Sequence, residues 1–211
     1  MKKLLYVCLA VSLILVACGE SVTFQEPQPT DTDNLSKFPK RLQGQYISLR
    51  DSSTLIISDK LITRSVNFSK IHLSELDSTF QLSGDTIIEL ETNEKQLIKR
   101  DGDSLIIRSF YTLFQMNYDN VVREFKGYYF LNTRYDYDKT SWGIKKIQLS
   151  KGQLIISSIS NKQDMDNLTE IIKTPQDTVS PRKFSATKKQ FTEFIKNEGF
   201  SDNEIFVRQK K

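Results

Sequence analysis

Two cysteines, one histidine and one tryptophan in 211 residues leave this chain few ways to do chemistry. The single histidine, His72, excludes a multi-histidine metal centre, and any histidine-dependent catalysis has to pass through that one position. Eight glycines occur, with no phosphate-cradling loop, no dinucleotide fingerprint and no Gly-x-Ser-x-Gly elbow among them. Neither charge sign dominates. Thirty Lys and Arg against 26 Asp and Glu give +4, which falls to +2 when Lys2 and Lys3 are set aside, and this is not the excess of a nucleic-acid binder. Nothing in the sequence implies a cofactor. With 38% hydrophobic and 27% charged residues, the composition is that of one globular domain or a duplicated one.

The N-terminus is the most informative stretch. Lys2 and Lys3 form a short positive region, and Leu4 to Val16 is a thirteen-residue apolar run broken only by Ser12. A helix needs about 20 apolar residues to cross a bilayer, so this run has the length of a secretory signal rather than of an anchor. It ends in Leu15-Val16-Ala17-Cys18-Gly19. That sequence resembles the lipobox of bacterial lipoproteins, in which cleavage after the small residue leaves an acylated cysteine as residue one. The resemblance covers residues 1–19 and implies a signal peptide over 1–17, cleavage between Ala17 and Cys18, and lipidation of Cys18. It also implies a thioether diacylglycerol with a third, palmitate-like chain on the amino group; two or more chains hold a protein firmly where one does not. Cys8 leaves with the signal and Cys18 is consumed by lipid, so the mature chain has no thiol and no disulfide. Gly19, where an inner-membrane lipoprotein of enteric bacteria often carries Asp, points by the same resemblance to the outer membrane.

After Cys18, residues 19–37 contain two prolines, many polar groups and no apolar period, and read as an extended, solvated tether. The globular body is expected over 38–211, with halves at 38–120 and 121–211. From Gly44 the runs at 45–50, 53–57, 61–68, 79–82, 86–91, 95–100 and 104–110 are short, rich in Ile, Leu and Thr, and separated by polar pairs, as strands are. Asp101-Gly102, Ser83-Gly84-Asp85 and Lys151-Gly152 sit between such runs. Asp101-Gly102 predicts a type I′ turn, with positive φ at both central residues. The expected fold is mostly β: antiparallel hairpins or meanders forming a barrel or sandwich-like sheet, with one C-terminal helix. Gly44-Gln45-Tyr46-Ile47 and Gly127-Tyr128-Tyr129-Phe130 open similar runs, consistent either with two related meander halves or with hairpins that merely look alike. Thr187 and Gln190 fit a capping box, and Phe191, Phe194 and Ile195 follow at helical spacing before Gly199.

Candidates for chemistry are sparse. His72 lies in an alternating stretch beside Ser74 and reads as a surface side chain. The carboxylate pairs Asp136/Asp138 and Asp164/Asp166 lack the continuation of a calcium loop and read as solvated loop acids. Aromatics are concentrated: eleven of the 22 lie between Phe110 and Trp142. Rings on alternating strands fill cores, whereas rings on loops stack on ligands or partners. The loop carrying Arg134, Tyr135, Tyr137 and Trp142 is therefore the candidate contact site. Asp77-Ser78-Thr79, Asp85-Thr86-Ile87, Asp103-Ser104-Leu105 and Asp177-Thr178-Val179 resemble O-glycosylation sites of Bacteroidota envelope proteins, and equally fit turns entering strands. The general appearance resembles the small envelope lipoproteins of that phylum.

Together these readings give a non-catalytic lipoprotein held to the membrane by its lipid, binding an envelope protein, a glycan or a small apolar ligand, and not nucleic acid. A weak likeness to the lipocalin barrel plan supports the apolar ligand. The alternative is an immunity or inhibitor lipoprotein that neutralises an envelope-targeting toxin or hydrolase.

Overall fold

Short β-prone runs closed by turn residues fold as hairpins. In the computed structural model, which describes residues 22–135, 139–173 and 182–209 without the side chains of 66–68, they give strands β1 (Val22–Phe24), β2 (Gly44–Ser48), β3 (Thr54–Ile57), β4 (Leu61–His72), β5 (Phe80–Ser83), β6 (Thr86–Glu89) and β7 (Lys95–Asp101). There follow β8 (Ser104–Gln115), β9 (Asn120–Phe125), β10 (Tyr128–Arg134), β11 (Trp142–Ser150), β12 (Gln153–Ser158), β13 (Arg182–Phe184) and β14 (Asp202–Arg208). Two helices, α1 (Lys162–Ile172) and α2 (Lys188–Lys196), complete the regular elements, and neither is long and apolar enough to cross a membrane. The fold is mostly β, as expected, and the described residues hold two α-helices where one was expected.

Two compact units emerge, the first holding 22–35, 117–148 and 155–204, the second 36–116, 149–154 and 205–209. Both units are discontinuous in sequence, and one change of unit falls after Met116. Both helices of the described residues belong to the first unit.

In the second unit the antiparallel order β14-β2-β3-β4-β8-β7-β6-β5 ends at β5, and the sheet does not close into a barrel. At one end Phe38, Leu42, Tyr46, Leu55, Ile57, Ile62, Phe114 and Phe206 are buried, and the Tyr46 hydroxyl donates to the Leu42 carbonyl at 2.7 Å. Burial raises the Tyr46 phenol above its ordinary value, opposed by the Arg208 guanidinium, which donates to it at 2.7 Å. The twelve-residue strands β4 and β8 lead to a second small cluster of Ile87, Ile98, Leu105 and Ile107. The β7–β8 turn closes on Asp101 and Ser104, and only Gly102 takes positive φ, at 58°. That is a glycine-first turn rather than the type I′ turn expected, because the closing pair sits one residue later than the Asp-Gly signal suggests.

The first unit has the order β13-β1-β11-β10-β9, antiparallel except for the parallel β1–β13 pair, and it too is open at both edges. Its core joins Val22, Phe24, Phe130 and Phe184 on strands to Met165, Leu168 and Ile172 of α1, Phe191 and Phe194 of α2, and Phe200 beyond it. Helix α2 begins with the expected capping box of Thr187 and Gln190. Helix α1 is capped by Asn161, whose side chain accepts from the Asp164 amide at 2.8 Å. Asp164, expected in a solvated loop, is buried on that helix and accepts from the Ser201 amide and hydroxyl, each at 2.9 Å. Asp166 is exposed and pairs with Lys162 one turn earlier.

The expected tether is also corrected. Val22, Thr23 and Phe24 are buried in β1, and the segment beyond is pinned to β9 and β10. Asn132 accepts from the Gln28 amide at 2.6 Å and donates to the Gln28 carbonyl at 2.9 Å. Arg123 donates to the carbonyls of Pro27 and Pro29 and to the Asn34 side chain. Burial lowers the Arg123 guanidinium from its usual value, opposed by Glu26, Asp31 and Asp33. Proline and polar residues suggested a solvated chain, but the Gln28 amide and carbonyl and the Pro27 and Pro29 carbonyls are bonded by two side chains of the folded body.

Candidate functional site

The turn between β8 and β9 is built by its own polar groups. The Asn117 amide donates to the Asn120 carbonyl at 3.0 Å, and the Asn117 side chain accepts from the Asp119 amide at 2.8 Å. This leaves Tyr118 at the tip, 80% exposed. Beside it, at the end of β10, the Arg134 amide donates to the Asp119 carbonyl at 2.7 Å, and its guanidinium lies 3.4 Å from the Asp119 carboxylate. The centre of that guanidinium is 4.9 Å from the Tyr118 ring centroid and 4.7 Å from that of Trp142. Each such stack contributes ~0.5–1 kcal/mol at an exposed site and more where water is excluded.

Of the residues expected to form the contact site, the structure brings Arg134, Tyr135 and Trp142 together; Tyr137, with Asp136 and Asp138, lies outside the described residues. Trp142 is only 6% exposed, because it opens β11 between Arg134 on one side and Phe24 on the other. It backs the arginine and offers no ring to a ligand. Tyr135 turns back over β11: its amide donates to the Ser141 carbonyl at 2.9 Å, and its ring lies where a Cβ on Gly143 would come within 2.6 Å of the hydroxyl. Glycine at 143 is therefore what admits that ring. Tyr118 is the residue sequence reasoning passed over. Its position in a polar Asn-Tyr-Asp turn, rather than in an apolar run, was the available signal.

Most other aromatics of this stretch pack inward. Phe114, Tyr129 and Phe130 are buried, and Tyr128 is half-buried beside Lys146, whose ammonium lies 5.3 Å from both the Tyr128 and Phe200 rings. Burial pulls that ammonium below the ordinary lysine value, and Asp164 opposes the shift. His72 is exposed and caps a three-residue turn over Leu73–Glu75: its Nδ1 lies 2.7 Å from the Ser74 hydroxyl and accepts from the Ser74 amide at 3.3 Å. Among the described residues no three His, Asp or Glu side chains converge as metal ligands. Cys18 and Ala17 lie outside the described residues, as does Asp177-Thr178-Val179. Thr79 donates its amide to Asp77 at 2.9 Å, so that Asp-Ser-Thr stretch is at least a side-chain-closed turn.

Comparison with protein-family models, with curated proteins and with solved structures finds no match. The site therefore rests on its own geometry. It is a convex tip with one open aromatic face, an arginine held behind it and a carboxylate at its side.

Proposed function

We propose that this chain is a lipid-anchored bacterial envelope protein that binds a protein partner without catalysis, and that Tyr118 is the centre of the contact. The observation that carries the reading is an aromatic ring at once highly exposed and held in place by Arg134 and Asp119. Tyr and Arg dominate the binding energy of protein interfaces, and a ring fixed before binding loses little entropy on docking. A convex tip suits a pocket on a protein, whereas small ligands occupy concave sites. The apolar-ligand version leaned on a closed barrel, and neither unit's sheet closes. The same projecting tip suits an inhibitor entering the cleft of an envelope hydrolase or toxin, which keeps that second reading in place.

Two experiments test the proposal. A photo-crosslinking residue in place of Tyr118, activated in the native envelope, is expected to join the chain to one protein, whose identity separates structural partner from inhibited enzyme. A crosslink to lipid alone, or none above that from an exposed control position such as Glu193, sinks it. Against the recovered partner, Tyr118→Ala is expected to weaken binding about thirtyfold, ~2 kcal/mol, while leaving the melting temperature unchanged. For the anchor, Cys18→Ala is expected to leave an unprocessed or soluble form, and unchanged membrane retention counts against lipidation.

A further inference from the structure

The sheet of the second unit has one packed face and one open face. Alternate residues of a strand point to opposite faces, and directly opposed residues on neighbouring strands share one. Tyr46, Leu55, Ile62 and Phe206 point to the packed side and are buried. Their neighbours in sequence point outward: Val207 lies opposite Ile47, and Ile47 opposite Thr54. One row along, Gln45 is opposite Ile56, Ile56 opposite Thr63 and Thr63 opposite Thr112. Val207 is 40% exposed, Leu49 just beyond β2 is 62%, and Phe110, two residues from Thr112, is 43%.

Over this stretch the outward side chains carry no charge. They are Gln, Ile and Leu on and just after β2, Thr and Ile on β3, Ile, Val and Gln from Ile205 to Gln209, Thr63 on β4, and Phe110 and Thr112 on β8. With 27% of the chain charged, a surface of this extent would ordinarily hold several charged ends. Charge returns at the rim, with Arg108 two residues beyond Phe110, Arg50 and Asp51 in the β2–β3 turn, and Asp59 and Lys60 in the β3–β4 turn. Lys210 and Lys211, past Gln209, lie outside the described residues. An exposed apolar patch with a polar rim marks an interaction surface.

A face of one charge sign selects a partner of the other, whereas a face without charge does not repel a copy of itself. Its β-branched side chains make a level surface, on which a second sheet stacks at ~10 Å with the strands nearly aligned. Five neighbouring strands at ~4.8 Å and about five residues along each at ~3.3 Å give a footprint of roughly 400 Å² per copy, before side-chain relief is added. Stable dimers bury about 800 Å² per partner, so a contact of this size is of the weaker, concentration-dependent kind. We infer that the open face of β14-β2-β3-β4-β8 is a homodimer interface, on which a second copy stacks about a two-fold axis to complete a two-layer sandwich. The dimer depends neither on the Tyr118 contact nor on the lipid anchor.

The test uses the chain from residue 18 onward with Cys18→Ser, in detergent-free buffer, so that neither lipid nor micelle competes for the face. Sedimentation equilibrium from roughly 1 to 500 µM is expected to show the mass rising from one chain toward two, half complete at roughly 10–100 µM. Val207→Glu and Leu49→Glu place a buried charge in the contact, and each is expected to raise that midpoint by about tenfold or more. The uncharged, β-branched Val207→Thr is expected to raise it less than about threefold, and Leu90→Glu, just beyond β6 and away from these five strands, to leave it unchanged. Thermal melting followed by circular dichroism confirms that each variant is folded. A single-chain mass at every concentration overturns the inference, as does a dimer that Val207→Glu and Leu49→Glu leave intact. Phe110→Trp separates a second copy from a bilayer. A blue shift of its emission with protein concentration supports the stacked sheets, and a shift that appears only on adding phosphatidylcholine vesicles overturns them.

Discussion

The core of the first unit and the far end of the second solve the same problem, a sheet face exposed to water, with different means. Beneath α1 and α2, Phe24, Phe130, Phe191, Phe194 and Phe200 meet with ring centroids 5.1–6.1 Å apart in edge-on and tilted pairs. At the far end of β4 and β8, four aliphatic side chains, Ile87, Ile98, Leu105 and Ile107, are backed by the partly buried Ile71, Leu73, Leu76 and Leu82. Both α-helices of the described residues belong to the first unit, and Phe80 on β5, Leu97 on β7 and Leu90 just beyond β6 remain exposed. Between this cluster and the buried Phe114, the β8 residues Phe110 and Tyr111 are each 43% exposed. A sheet with a helix layer accommodates large rings in three dimensions, whereas a sheet without one buries only what its own hairpins fold over.

The largest effect expected from this contrast is at Phe191, which touches Phe24, Phe130 and Phe200. Phe191→Ala is expected to cost ~3–5 kcal/mol, because the surrounding rings collapse only partly into the space. Chemical denaturation with near-ultraviolet circular dichroism measures it, and a loss under ~1 kcal/mol contradicts the rigid aromatic core. At the other end Leu105→Ala is expected to cost less, ~2–3 kcal/mol, since a thin cluster at a sheet end relaxes more readily. Its signature is local. Amide exchange should accelerate over β5, β6 and β7 while β9–β11 keep their protection. Uniform acceleration along the chain would make the two regions one cooperative body.

Next in size is Gly143→Ala, which probes the site rather than a core. Its methyl meets the Tyr135 hydroxyl and ring edge, so the ring has to swing out at an expected cost of ~1–2 kcal/mol. Tyr135→Ala in the same background should restore much of that loss. A double-mutant cycle with no coupling removes the close approach of ring and glycine.

Much of this architecture is legible in the sequence, and the failures have physical causes. Alternation and turn residues reveal β2–β8 because each hairpin is a local object, and the capping box at Thr187 announces α2 for the same reason. Helix α1 escapes because its apolar residues Met165, Leu168 and Ile172 are diluted by Asp, Asn, Thr and Glu, so that Asp164-Met165-Asp166 looks like a loop. Strand β1 escapes for a different reason. It is three residues long, and its partner β13 is 160 positions away, information that no local window contains. The candidate site divides in the same way. Arg134 was read from its aromatic neighbourhood, but which rings face water depends on long-range pairing. Trp142 is buried by Phe24, and Tyr118 stands out because the turn projects it.

The smallest effect sharpens the comparison from the polar side. In the β2–β3 turn of the second unit, Asp51 accepts from the Ser53 amide at 2.9 Å and from the Arg64 guanidinium at 3.0 Å. Arg64 also donates to the Ser53 hydroxyl at 2.8 Å and lies 5.5 Å from the Phe206 ring centroid. Burial works against the Asp51 charge, but hydrogen bonds from Ser53, with Arg64 and Ser48, outweigh it and hold the carboxyl at about 2. Because the folded value lies below the unfolded one, the stabilisation is fully present above pH ~4 and is lost as pH falls toward 2. The Asp51 side chain is nearly half exposed, so solvent screens the pair and Asp51→Asn is expected to cost only ~0.5 kcal/mol at pH 7. Melting temperatures of the two proteins should converge as pH falls through that window, and the gap at pH 7 should narrow in 1 M salt. A gap that persists at pH 2 would mean that Asp51 acts through its hydrogen-bond geometry alone, leaving the turn without a charge lock to set against the aromatic core of the first unit.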